Sequence, residues 1–232
     1  MSTCHVAYRL IIFNLPNLRA LKEIYETMKN IAILLAFAFV IAGALTGTTT
    51  GSSARAMEGE IPAPPAIGAT IEDFTLPDVS GQQRSLKSIA GKNGTVLLFI
   101  AVQCPVSNAY NERMEKLAAD YNAKGIAVIG INSNVKEDAE AVKAHAADNK
   151  LTFPILKDPG NKIADRLGAT VTPEAYFIDA GNKLLYHGRI DNSRNAAQIE
   201  TSDLRNALDA ALAGKAIEKP EAKAFGCTIK RG

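Results

Sequence analysis

TVLLFIAVQCPVSNAYNERMEK, residues Thr95 to Lys116, is the stretch whose reading decides the fold. Its first half is apolar and rich in β-branched residues (Val96, Leu97, Leu98, Phe99, Ile100, Val102) and stops at Cys104. Pro105 then opens a helical pattern with Tyr110, Met114 and Leu117 on one face. An unbroken apolar run of this length fits a strand covered on both faces. Proline fits the first helical position, where its missing N–H has no partner to lose. Cys104 is therefore expected at a helix N-terminus. There, unpaired N–H groups and the helix dipole favour a thiolate and draw the pKa below the free value of about 8.5. The competing reading is a buried structural cysteine, the commoner fate of a free thiol.

Working outward, Ile71 to Leu86 (IEDFTLPDVSGQQRSL) carries apolar residues around a Ser80-Gly81 turn and predicts a short hairpin. A helical turn or two follows and ends at Gly91. After the central helix, Gly125 is a stop, and Ile126 to Ile131 (IAVIGI) predicts a second buried strand. Val135 to Lys150 predicts an Ala-rich helix, Phe153 to Leu156 a brief strand, and Asn161 to Leu167 a short helix closed by Gly168. Ala175 to Asp179 and Leu184 to Ile190 form an antiparallel pair across Gly181-Asn182. Thr201 to Leu212, with Leu204, Leu208 and Leu212 at spacing four, predicts the last helix. Alternating elements demand a parallel centre, and the closing hairpin adds an antiparallel edge. An α/β architecture follows, with a mixed central sheet, helices on both faces and an N-terminal β-hairpin.

The composition, 47% hydrophobic and 22% charged, is that of a chain with a real core. A net charge of +2 over 232 residues leaves no footprint for nucleic acid. Met28-Lys29-Asn30, the apolar run Ile31 to Leu45 and Ala54-Arg55-Ala56 read as an export signal starting at Met28, with cleavage after Ala56. Residues 1–27 are then an upstream extension. The alternative is an uncleaved anchor, for which the run is short of the ~20 residues a span needs. Residues 57–69, with Pro62, Pro64 and Pro65, read as an extended linker, 70–215 as the folded domain, and 216–232 as a tail carrying Cys227. Of three cysteines, Cys4, Cys104 and Cys227, the exported chain keeps the last two, an even pair able to close a disulfide.

Four segments in order resemble the thioredoxin-like superfamily, and within it the redoxin group of peroxiredoxins and exported thioredoxins. They are DFTLPDVSGQQRSL, the strand into Cys104-Pro105, FPILKDPGNKIADRLGA and VTPEAYFIDAGNKLLYHGRID. The resemblance spans about Ile67 to Leu212 and implies a thioredoxin-like fold. It implies that Pro173 is the cis-proline facing the active cysteine, with Thr172 presenting its backbone to an extended substrate. Pro105 and Ser107 line the same site. Both group signatures are incomplete: Ser107 stands where thioredoxins carry their second cysteine, and Ala101 and Leu97 stand where peroxiredoxins carry Thr and Pro.

A Cys-Pro-Val-Ser site can form a mixed disulfide, but its own motif holds no thiol to release the product. Cys227 is the candidate resolving thiol; the alternatives are that it pairs with another molecule or simply packs. The expected activity is thiol-disulfide exchange by Cys104 in a periplasmic or secreted protein. A thiol peroxidase of antioxidant type and, from another class, a thioredoxin-fold binding module are the rival readings. The expected partners are a protein disulfide or peroxide and a reducing protein or small thiol, with membrane contact only through an uncleaved signal. No cofactor is expected, and without ligand spacing around His145 or His187 no metal. Arg113 and Lys116 are expected on solvated surface, and Ser107 and Asn108 as helix caps or thiolate partners.

Overall fold

The computed structural model describes residues 61–232, so the upstream extension, the export signal and Cys4 lie outside the described residues. The expected linker is not free chain from residue 61 onward. A side chain at Gly168 (φ +67°) would meet the Pro62 carbonyl at 2.5 Å, and the Gly68 N–H donates to Leu184 O at 2.7 Å. The lead-in thus lies against the body because backbone groups fix it there.

The hairpin β1 (Thr75–Pro77) and β2 (Gln83–Ser85) turns where expected, tied by Asp78, whose carboxylate accepts from the Ser80 and Gln82 N–H groups. Ser85 caps the single turn α1 (Leu86–Ile89), and β3 (Gly94–Phe99) follows. The helical pattern opened by Pro105 is broken in two: α2 (Pro105–Asn108), a step at Ala109-Tyr110, then α3 (Asn111–Asn122). β4 (Ile126–Asn132), α4 (Ala139–Asp148), β5 (Ile155–Lys157), α5 (Lys162–Leu167) and β6 (Val171–Thr172) come next. β7 (Glu174–Ile178), β8 (Leu184–Gly188), α6 (Asp203–Leu212) and two tail strands, β9 (Glu221–Ala222) and β10 (Cys227–Thr228), complete the order. α4 starts at Ala139, where Asp138 caps it, rather than at Val135.

The main sheet runs β5-β4-β3-β7-β8-β9. β3, β4 and β5 are mutually parallel, and β7 enters antiparallel beside β3. The closing hairpin therefore is not the sheet edge. The tail supplies that edge, β9 pairing parallel with β8. Side chains still alternate along the doubly covered strands: Val96, Leu98, Ala175 and Phe177 pack on one face with Met114, Leu117, Leu204 and Leu208. Leu97, Phe99, Tyr176 and Ile178 pack on the other with Leu86, Ile163 and Leu167. Both faces are covered by helices, as the continuous apolar runs require. Full burial of each Val, Leu, Ile, Phe or Met side chain among these stabilises by about 1.5–3 kcal/mol. No helix among the described residues is long and apolar enough to cross a membrane.

Candidate redox site

β3 delivers the chain to its carboxyl end, and Cys104 is the cap of α2. The Ser107 N–H donates to Cys104 Sγ at 3.2 Å, and the thiol donates to Thr172 O at 3.3 Å. A single helical turn has little macrodipole to offer, so the individual N–H groups act on the sulfur, not the expected dipole. Cys104 is only 3% exposed. Ser107 is wholly buried, its hydroxyl accepting from the Ala101 N–H at 3.2 Å, so it holds the thiol from behind. Pro105 is exposed at the first helical position.

Thr172-Pro173 is a cis peptide bond, and Thr172 lies directly across from Cys104. The tail returns to this point: β10 pairs antiparallel with β6, Cys227 opposite Thr172 and Thr228 opposite Val171. Both cysteines are free thiols. The structure thus brings Cys104, Cys227, Thr172 and Pro173 together.

Burial acts most strongly on the Cys104 thiol and opposes its ionisation. The donors set around the sulfur, the Cys227 thiol first, then the Ser107 N–H, the Thr172 hydroxyl and the Cys227 N–H, favour the thiolate and outweigh burial, so the pKa lies below that of an ordinary thiol. Thr172 Oγ1 is buried without a partner while Cys104 is protonated, which leaves it available to an ionised sulfur. Cys227 moves the other way: burial and its role as donor to Cys104 hold its proton on. Cys104 is thus the more readily ionised of the two thiols, and Cys227 the one that keeps its proton.

Sequence reasoning missed the group that places the loop before Cys104. Glu137, 3% exposed, accepts from the Val102 N–H at 3.0 Å and the Gln103 N–H at 2.9 Å, and from Asn132 Nδ2 at 2.5 Å. Lys157 Nζ in turn donates to Asn132 Oδ1 at 2.6 Å. Burial alone would raise the Glu137 pKa, but the backbone donors hold it below the usual carboxylate value. Only the acidic character of a residue near the start of α4 marked it in the sequence. Arg113 also departs from expectation: its guanidinium lies 3.6 Å over the Tyr110 ring and pairs with Asp191 at 2.7 Å instead of facing water. His145 and His187, the two histidines among the described residues, each have amide or carboxylate company, His187 Nε2 with Glu174 Oε1 at 2.6 Å and His145 with Asn111 and Asn149 at 3.3 Å.

Beside the two thiols lies a cavity of about 590 Å³, bordered by Gln103, Lys136, Glu137, Thr228, Lys230 and Arg231. This is a site in which a sulfur can be attacked by a small molecule or by its neighbour.

The chain is 29% identical over 118 residues to the thiol-disulfide oxidoreductase ResA of Halalkalibacterium halodurans, covering 51% of this chain and 65% of that protein, less than two thirds of its length. Peroxiredoxin Q of Sedum lineare is 28% identical over 141 residues, 55% of this chain and 72% of that protein. The crystal structure of a hypothetical protein from Sinorhizobium meliloti superposes with a TM-score of 0.68 at 34% identity, covering 72% of this chain and 96% of that one. The fold is thioredoxin-like, as expected. Residues 67–187, just over half of the chain, match the AhpC/TSA family, and with the fold described above this places the chain in that family.

Proposed function

We propose that this protein is an exported thiol-disulfide oxidoreductase in which Cys104 is the nucleophile and Cys227 the resolving thiol. The observation that carries the reading is the convergence of the two free thiols on Thr172, one with its pKa drawn down and the other with its proton held on. The Cys104 thiolate attacks one sulfur of a disulfide, forming a mixed disulfide and expelling the other sulfur as a thiolate, which takes up a proton. Cys227 loses its proton and attacks Cys104 Sγ, releasing the second thiol and leaving Cys104 and Cys227 bridged. Two electrons pass from the protein to the disulfide, and a reducing partner restores the thiols. Thr172 and Pro173 flank the reacting sulfur, and Ser107 supplies it an N–H donor.

The test is intact mass and peptide mapping after one equivalent of oxidant. Loss of two hydrogens with a Cys104–Cys227 linked peptide is expected. Two free thiols after oxidation, or a mixed disulfide in the native protein that Cys227 never resolves, would overturn it.

A thiol peroxidase is the second reading, favoured by the near-complete enclosure of Cys104, which suits a small oxidant. There the Cys104 thiolate takes the terminal oxygen of a hydroperoxide, becoming a sulfenic acid with release of an alcohol or water, and Cys227 condenses with it to give the same disulfide and water. Peroxide consumption against disulfide reduction separates the readings, and both are lost in Cys104→Ser. Export is read from residues 28–56, and N-terminal sequencing of the secreted fraction tests it, with Met57 the expected first residue.

A further inference from the structure

The strand edge nearest the thiol is that of β6, with Thr172 O 3.3 Å from Cys104 Sγ, and an extended polypeptide that paired with this strand would bring a disulfide sulfur to Cys104. That edge is taken. Cys227 and Thr228 pair with Thr172 and Val171, the Ile229 N–H donates to Thr170 O at 2.9 Å, and Ile229 is buried. The Lys230 N–H donates to Asn134 Oδ1 at 2.7 Å, which fixes the strand at its far end.

Gly226 shows how close the approach is. A side chain there would meet Thr172 O at 1.9 Å and the carbonyl carbon at 2.6 Å, both backbone atoms that cannot step aside. The tail reaches this edge only because residue 226 has no Cβ.

What stays open is the cavity of about 590 Å³ beside the tail. Its basic side chains are Lys136, Lys230 and Arg231, three against one carboxylate, Glu137, which keeps its negative charge while accepting from two backbone N–H groups and Asn132. Arg231 pairs with Asp165, while Lys136 and Lys230 have no carboxylate partner among the described residues. The mouth is therefore cationic.

We infer that the tail strand holds the place of an extended polypeptide on β6, and that the oxidant admitted to Cys104 is a small anionic disulfide entering by the cavity beside it. This rests on the thiol-disulfide reading above and names its substrate class. The exchange is that already written, with the two halves of the small disulfide leaving as thiols.

The experiment follows loss of the Cys104 thiol in a single turnover, by acid quench and mass spectrometry, each rate divided by that of free 2-mercaptoethanol, whose thiol carries no charged neighbour. The probes are dithiodiglycolate (a dianion), cystamine (a dication) and a disulfide-linked octapeptide. In the native protein dithiodiglycolate is expected to lead both others by about tenfold at low salt, the lead over cystamine shrinking as salt rises. Lys136→Glu with Lys230→Glu reverses the order of the two small probes. Gly226→Val, with Gly226→Ala as the milder version, raises the octapeptide rate by about tenfold and opens the Ile229 amide to hydrogen exchange. An octapeptide rate equal to that of dithiodiglycolate in the native protein, or unmoved once the Ile229 amide is open, overturns the inference. So does a dianion no faster than the dication. If no disulfide outpaces its reaction with free thiol while hydrogen peroxide does, the thiol-disulfide reading itself fails, a result distinct from either.

Discussion

Cys227 lies directly opposite Thr172 in the β10–β6 ladder, and Thr172 is the residue whose carbonyl oxygen accepts the Cys104 thiol at 3.3 Å. Two cysteines more than a hundred residues apart in sequence are thus set against one backbone unit.

The first prediction concerns which thiol reacts. The Cys104 pKa is lowered and the Cys227 pKa raised, so alkylation of Cys104 is expected to rise with pH through a midpoint below the usual thiol value, and that of Cys227 through one above it. The Cys227 side chain is the largest of the groups that favour the Cys104 thiolate. Cys227→Ala therefore moves the Cys104 midpoint up in pH, and Cys227→Ser, which keeps a donor, moves it less. Iodoacetamide rates against pH, read per residue by mass spectrometry, check this. An unchanged Cys104 midpoint in Cys227→Ala would show that the two sulfurs do not communicate.

Glu137 is predicted to stabilise the loop that carries Cys104. Removing its carboxylate leaves the Val102 and Gln103 N–H groups without their acceptor, and Glu137→Ala is expected to cost about 1–3 kcal/mol. The native carboxyl releases its proton more readily than an unfolded one. Its stabilisation is therefore fully present above the unfolded pKa of about 4.3 and lost as pH falls through the folded value below it. Urea unfolding at pH 6 and pH 3.5 should show a larger drop for the native protein than for Glu137→Gln. Equal drops would remove the carboxylate from the account.

Asp191 should matter out of proportion to its distance from the thiols. It is 3% exposed, accepts from the Tyr110 hydroxyl at 2.9 Å and pairs with Arg113 at 2.7 Å. Asp191→Ala strips both partners at once and is expected to cost about 2–4 kcal/mol, because a largely buried guanidinium loses its counter-charge. Thermal melts of Asp191→Ala, Arg113→Met and the double variant form the check. The double variant should be less damaged than the sum of the two singles.

Most of the architecture was legible because apolar runs such as Val96 to Ile100 and Ile126 to Ile131 leave few alternatives to doubly covered strands. What stayed hidden depended on long-range pairing. Nothing local in Glu221-Ala222 or Cys227-Thr228 marks a strand, since two-residue strands form only where a partner backbone waits. The break at Ala109-Tyr110 was invisible for a similar reason: the apolar spacing of Tyr110, Met114 and Leu117 survives it. At the candidate site, Cys104 stood out in the chain because it ends a strand and begins a helix, and Thr172 and Pro173 through the resemblance to the thioredoxin-like superfamily. Gly226 and Glu137 did not, because their importance lies in backbone atoms that only the folded chain brings near them.

Glu174 yields the last prediction, on how β6 is kept in place for the tail. Its Oε2 accepts from the Thr170 N–H at 2.8 Å and the Val171 N–H at 3.1 Å, while Oε1 meets His187 Nε2 at 2.6 Å and accepts from the Tyr176 hydroxyl at 3.2 Å. One buried side chain thus anchors the backbone of residues 170 and 171 to β8 through His187 and to its own strand through Tyr176. Thr170 O is in turn the acceptor for the Ile229 N–H, so the tail depends on that anchor. Glu174→Ala is expected to cost about 1–3 kcal/mol in global stability. Its sharper effect is local: faster hydrogen exchange at the Thr170, Val171 and Ile229 amides, and faster alkylation of Cys227 as β10 loosens. Glu174→Gln, which keeps an oxygen for the two N–H groups, should restore most of the protection at Thr170 and Val171. If the Ile229 amide exchanges at the native rate in Glu174→Ala, the tail is held by its own packing and not through β6.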